Sequence, residues 1–191
     1  TGASNTGVGA NALDENTTGD NNTALGLSAL NKNTTADNNT GIGYNALGAN
    51  TTGEANVAVG AIALDANTTA NANTAIGYAS LSATTTGASN TAVGAYTLDA
   101  NTTGAENVAI GYEALTNNTT AGNNVAIGKD ALRANTIGNT NVAIGTDAMT
   151  TNVAADRNVA VGEQALQNMT AATSTDTYNV GVGYNAGLAI T

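Results

Sequence analysis

The sequence predicts an all-β protein, a parallel β-solenoid (β-roll) of about eleven coils with seventeen residues in each. Three observations predict it. The first is a period without slip: Asn5, Asn22, Asn39, Asn56, Asn73, Asn90, Asn107, Asn124, Asn141 and Asn158 recur at one spacing, and such self-similarity takes precedence over any local reading of the chain. The second is the run that follows each Asn, as in Asn107-Val108-Ala109-Ile110-Gly111, where branched residues alternate with Ala before a Gly. The third is charge. Counting the Asn as slot 1, every acid except Asp176 and every base falls in slots 6, 7, 10, 11, 16 or 17. Ions are almost never buried unpaired, so those slots mark corners facing water and the uncharged ones mark packed surface.

Slots 1 to 5 read as a short strand. Slots 2 and 4 point to one side and slot 3 to the other, so one side lines the coil and the opposite one needs a second cover, for which a neighbouring protomer is the candidate. Slots 6 and 7 vary freely (Tyr44-Asn45, Lys129-Asp130), as a turn does. Slots 8 and 9, usually Ala-Leu, read as a second buried segment. Slots 12 to 15, usually Asn-Thr-Thr-Gly or Asn-Thr-Thr-Ala, join a turn former to β-branched residues. Helix is the rival for slots 6 to 11, since Ala and Leu favour it, but seventeen residues are too few for a two-helix unit and the Gly and Thr content opposes it.

Stacked coils place identical residues about 4.8 Å apart, which gives a rod roughly 50 Å long. The predicted columns are Asn107, Asn124 and Asn141; Ile110, Ile127 and Ile144; Gly111, Gly128 and Gly145; and Leu115 with Leu132. The expectation is that aliphatic and amide columns lie inside, the amides bonding to each other and to backbone, with ions at the bends. Contacts then link neighbouring coils only, and stability adds coil by coil.

Two segments are expected, a regular solenoid over 1–172 and an irregular final coil over 173–191. In the latter Asn179 arrives late, Gly187 replaces the slot 9 Leu, and Thr173-Ser174-Thr175-Asp176-Thr177-Tyr178 is expected to protrude as a loop. Slot 2 changes along the chain, from Thr6, Thr23 and Thr40 to Val108, Val125 and Val142, so its surface becomes drier toward the C-terminus. Thr1-Gly2-Ala3-Ser4-Asn5-Thr6 repeats Thr86-Gly87-Ala88-Ser89-Asn90-Thr91, and Thr191 falls near the Thr slot of a further unit. The expectation is an excerpt or a processed piece of a longer chain.

Composition narrows function. With Phe, Trp, Pro, Cys and His all absent, no large-side-chain core, disulfide framework or zinc–thiolate site can form. Lacking His and Cys, and with carboxylates set singly on variable corners, the chain offers no base–nucleophile pair, so no enzyme and no cofactor are expected. A net charge of -10 argues against nucleic acid and anionic membrane as partners. Membrane insertion is not expected, since no apolar run approaches the roughly 20 residues a span needs. Asp14, Asp65 and Asp99 share slot 10 but not adjacent coils, and no Gly-Gly-x-Gly-x-Asp calcium array occurs.

The run Asn-Val-Ala-Ile-Gly-x-x-Ala at Asn107–Ala114, Asn124–Ala131 and Asn141–Ala148 resembles the head repeat of YadA-like trimeric autotransporter adhesins. Similar arrays occur in bacteriophage tail-fibre and other exported fibre proteins. The resemblance implies a left-handed β-roll, a homotrimer, and a place on the cell surface, outside the cell or on a virion. The head unit of that family is shorter, so the Asn-Thr-Thr-Gly segment enlarges the coil. The expected function is structural: a rigid extracellular fibre or filament module with an adhesive surface, its partner itself, as a homotrimer or an end-to-end polymer, and a host-surface glycan or protein. Alternatives are a tail-fibre shaft and an ice-binding solenoid presenting Thr17, Thr34, Thr51, Thr68, Thr85, Thr102 and Thr119. Tyr44, Tyr78, Tyr112 and Tyr184 share slot 6 and are the candidate surface contacts. Sequons at Asn16, Asn21, Asn33, Asn38, Asn50, Asn67, Asn101, Asn117, Asn118 and Asn168 permit glycosylation in a secreted chain.

Overall fold

The computed structural model describes residues 2–171 and 173–188. The expectations placed on Thr1, on Ala172 and on 189–191 lie outside them. Thirteen short strands form, and no helix among the described residues: β1 Thr6–Val8, β2 Thr23–Leu25, β3 Thr40–Ile42, β4 Val57–Val59, β5 Thr74–Ile76, β6 Thr91–Val93, β7 Val108–Ile110, β8 Val125–Ile127, β9 Val142–Ile144, β10 Ala155–Asp156, β11 Val159–Val161, β12 Thr175–Asp176 and β13 Val180–Val182. Eleven of them make one parallel sheet in chain order, from β1 to β9 and then β11 and β13. Pairing is in register at the sequence period, Val108 on Val125, Ala109 on Ala126 and Ile110 on Ile127. The protein is therefore a parallel β-solenoid with one strand of the main sheet per turn.

The interior holds slots 3, 8 and 9. Ala109, Ala114 and Leu115 are fully buried, and so are their counterparts Ala126, Ala131 and Leu132 in the next turn. The isoleucine column is not inside: Ile110 is 39% and Ile144 37% exposed, and Ile127 is half-buried. The expectation of interior aliphatic columns thus holds for slot 9 and is corrected for slot 4. Room decides it. A Cβ on Gly41, in slot 3, would already lie 3.2 Å from Cγ of Leu30 and 3.0 Å from the Ala46 carbonyl oxygen. Facing the slot 9 leucines across so narrow a coil, slot 3 accepts a methyl group and nothing larger, which sends the branched neighbours at slots 2 and 4 outward.

Closing a turn in seventeen residues takes sharp bends, and these sit in the left-handed region at slots 7, 9 and 17, as at Glu113 (φ 55), Leu115 (φ 53) and Asn123 (φ 60). Each such residue turns the peptide so that its N–H meets a neighbouring coil. Glu113 N–H reaches back to the Ala95 carbonyl at 3.2 Å, and Leu115 N–H reaches forward to Ala131 at 3.0 Å. A leucine with positive φ is strained; full burial of its side chain holds it there. Slot 5 is Gly because Gly111 (φ 133) stacks on Gly128, and a Cβ would stand 2.5 Å from the Gly128 oxygen.

The inserted residues do not form a free loop. Thr175–Asp176 adds a parallel strand to Ala155–Asp156, making a separate two-stranded sheet, although both residues of β12 remain exposed. Thr177 N–H then donates to the Asp156 carbonyl at 3.2 Å, and its hydroxyl donates to Asn158 Oδ1 at 2.7 Å. The main sheet resumes at β13, Val159 pairing with Val180.

Candidate functional site

Two amide columns brace each turn. Asn107 Oδ1 accepts from the backbone N–H of Asn124 at 3.0 Å, while its Nδ2 donates to the Ala121 carbonyl at 2.9 Å and to Asn90 Oδ1 at 3.1 Å. From slot 12, Asn118 Nδ2 donates to the same Ala121 carbonyl at 3.0 Å and to Asn101 Oδ1 at 3.0 Å. Both columns thus converge on one carbonyl per turn, and both asparagines are fully buried. The first of these is the predicted column of Asn107, Asn124 and Asn141, and the second runs through Asn101, Asn118 and Asn135. Thr84 breaks the slot 12 column: its hydroxyl donates to the Asn101 carbonyl at 3.1 Å, and Asn67 Oδ1 is left buried without a partner.

A third column escaped the sequence reading because its slot is chemically mixed. In slot 16, Asp37 accepts the Asp20 N–H at 2.7 Å, Asn71 that of Glu54 at 2.7 Å and Asn139 that of Gly122 at 2.8 Å. An Asp or Asn there caps the turn before it; Ala88 and Ala105 lack the acceptor. The recurring signal was Asp or Asn in that one slot.

Outside, three surfaces differ in chemistry. The outer side of the main sheet carries slots 2 and 4, branched aliphatics with Thr in several early turns and no charge along its whole length. On the slot 12 to 15 side the expected threonine ladder keeps no free hydroxyl protons. Thr51 Oγ1 donates to the Thr68 carbonyl at 3.0 Å and Thr102 Oγ1 to Thr119 at 3.0 Å, so the exposed column is the neighbouring one, Thr52, Thr69, Thr86 and Thr103. On the same side Asn33, Asn50, Asn67, Asn101 and Asn118 are fully buried, which closes their sequons to sugar in the folded chain; Asn21, Asn38, Asn117 and Asn168 are exposed.

The third surface holds the tyrosines. Tyr44, Tyr78, Tyr112 and Tyr184 are all exposed, but they do not make one stripe, since Ala61 and Ala95 interrupt slot 6. What joins two of them is Tyr96, from slot 7. Its ring meets Tyr78 edge-on at 5.3 Å and Tyr112 at 6.1 Å with the planes 87° apart, so three successive turns share one aromatic cluster. Beside it lies a cleft of about 390 Å³ lined by Tyr96, Asp99, Tyr112, Glu113 and Thr116. Thr116 Oγ1 donates to the Tyr96 carbonyl at 2.7 Å. Hydrogen bonding to Glu113, then its charge, raises the pKa of the Tyr112 hydroxyl above the usual phenol value. Glu113 also faces Arg133 at 3.8 Å, and Ser82 donates to Asp99. Tyr96 is hidden in any slot-by-slot comparison; the signal for it is that slots 6 and 7 adjoin in successive turns.

The charged corners are solvated as a rule. The exception is Asp130, nearly buried between Lys129 at 3.4 Å and Arg133 at 3.9 Å. Partial burial raises the Asp65 carboxyl above its ordinary pKa despite hydrogen bonds that lower it. Among the described residues no group of three or more carboxylates gathers, and no helix is long and apolar enough to cross a membrane.

No protein-family model, curated protein or solved structure matches the chain.

Proposed function

We propose that the chain is a non-enzymatic, rigid module of an extracellular fibre, whose copies associate through the outer side of the main sheet as a homotrimer. The observation that carries this is the uncharged outer side itself. Slots 2 and 4 hold Val, Ile, Leu or Thr on all eleven strands, with Ile76, Ile110 and Ile144 among the exposed large apolar residues. Soluble proteins rarely leave a contiguous apolar strip of that extent uncovered, and such strips mark interaction surfaces. A second copy suits it because the rows repeat at one spacing and fit one another in register. The likeness to adhesin heads supports three copies, a left-handed coil and a position outside the cell.

Mass in solution tests the reading, by sedimentation equilibrium over a range of concentrations. The expected result is three times the 18.6 kDa of one chain. Lysine at Val125 and Val142 then dissociates it, with the circular dichroism of the sheet retained. A monomer at all concentrations, or a trimer indifferent to both lysines, overturns it.

A further inference from the structure

We infer that the corner between Tyr96 and Tyr112 is a binding site for a cationic group, an alkylammonium or a guanidinium. Two rings at 87° with centroids 6.1 Å apart bound a right-angled recess. Aromatic faces carry negative electrostatic potential and attract cations within about 6 Å. Asp99 and Glu113 line the same cleft and add two carboxylates, the second of them already facing Arg133. Among the described residues Asp99 has no cation within ion-pair distance, and Glu113 shares one, Arg133, at 3.8 Å.

The chain itself shows how such a set of groups is satisfied. Near the C-terminus the Arg157 guanidinium lies 5.9 Å from the Tyr178 ring centre and pairs with Asp176, to which the Tyr178 hydroxyl donates at 2.9 Å. Tyrosine face and carboxylate there close on a guanidinium. The Tyr96 corner presents the same wall chemistry with the cation left to come from elsewhere.

The lining also favours a charged donor over a neutral one. Asp99 and Glu113 are acceptors, and the Thr116 proton is committed to the Tyr96 carbonyl. A neutral sugar brings hydroxyls that both donate and accept but no charge, whereas an ammonium or guanidinium brings donors only together with the charge opposite to that of the two carboxylates. This reading is independent of the association of copies, because slots 6, 7 and 10 lie beyond the strand and its outer side.

The test is titration of the whole chain with N-acetyl-arginine amide, N-acetyl-lysine amide, spermidine and methyl glucoside, followed by NMR of the tyrosine ring protons. Saturable shifts of the Tyr96 and Tyr112 signals are expected with the cations, in the range of roughly millimolar affinity, and they weaken as salt rises. Tyr96→Ser and Asp99→Asn each reduce the affinity about fivefold. Both replacements keep residues the fold already accepts, since Ser28 occupies the slot of Tyr96 and Asn31 that of Asp99. Stronger binding of spermidine than of the capped amino acids identifies a polyamine as the source of the cation, and preference for capped arginine identifies a basic peptide. Shifts that persist in both variants, or that methyl glucoside produces and the cations do not, overturn the inference.

Discussion

The turns between Asn22 and Leu166 and the final turn beyond Leu166 share a strand register but not an interior. In the former, each turn places Ala at slot 8, or Ser or Thr in its stead, Leu or Met at slot 9 and an amide or Thr at slot 12, all fully or nearly buried. In the latter Gly187 stands in the leucine slot, and the slot 12 position before it has already become Met169, whose sulfur accepts from Asn179 Nδ2 at 3.4 Å. Backbone pairing survives the change: Val159 still meets Val180 and Gly183 N–H still donates to Val161 at 2.8 Å. Register is thus set by the backbone ladder, whereas tightness of closure is set by the columns. The final turn keeps the slot 1 amide, Asn158 Oδ1 accepting the Asn179 N–H at 2.9 Å, but loses the leucine and slot 12 columns and adds a surface clamp, Arg157 on Asp176 and Tyr178.

The strongest way to break that distinction is to add one methyl group at equivalent places. Gly111→Ala puts a Cβ 2.5 Å from the Gly128 oxygen and 2.7 Å from its carbon, both backbone atoms stacked in the column, at a φ of +133. Strain and overpacking together are expected to remove roughly 4 kcal/mol. Gly183→Ala meets nothing within 4 Å and carries only the strain of φ +124, about 1–3 kcal/mol. Urea unfolding of the two variants should separate them clearly. Equal losses would mean that stacking of the glycine column does not set the cost.

A smaller effect, of opposite sign, tests the amide columns. Thr84 interrupts slot 12 and strands Asn67 Oδ1 without a donor. Thr84→Asn restores the amide that Asn50 supplies to Asn33 at 3.0 Å in a regular turn. An unsatisfied buried acceptor costs about 1–3 kcal/mol, and part of that is offset by loss of the Thr84 hydroxyl bond to Asn101. A rise of about 1 kcal/mol in unfolding free energy is expected. An unchanged or lower urea midpoint would remove the columns from the account of what the final turn lacks.

Much of this was legible in the residues. The unbroken asparagine period and the uncharged slots gave turn length, parallel stacking and the amide ladders, because a buried Asn tolerates only a partner that repeats with it. Which side of the strand faces inward was not legible. Val108-Ala109-Ile110 reads equally well with either parity, and only the clearance between slot 3 and the slot 9 leucines decides it. The left-handed bend at Leu115 was hidden too, since leucine has no preference for positive φ and the bend is imposed by seventeen residues having to close. The tyrosine corner lay beyond slot-by-slot reading because Tyr96 and Tyr112 meet across turns and across slots.

The finest separation of the two regions comes from the clamp. Arg157, Asp176 and Tyr178 are all exposed, and coulombic attraction to Asp176 is the first cause of the raised Arg157 pKa. Exposed ion pairs are weak and screened by salt. Arg157→Ala should therefore leave the unfolding midpoint of the body unchanged and speed hydrogen exchange at the Thr177 amide, which donates to Asp156. In the parent chain, 1 M salt, with a Debye length of about 3 Å, should speed exchange at Thr177 in the same way. The Val125 amide, bonded to Asn141 at 2.8 Å deep in the sheet, should respond to neither. If the Val125 amide also loosened, the clamp would be coupled to the columns; if the Thr177 amide were unmoved by both, β12 would be held by backbone pairing alone, and the final turn would differ from the body in its interior only.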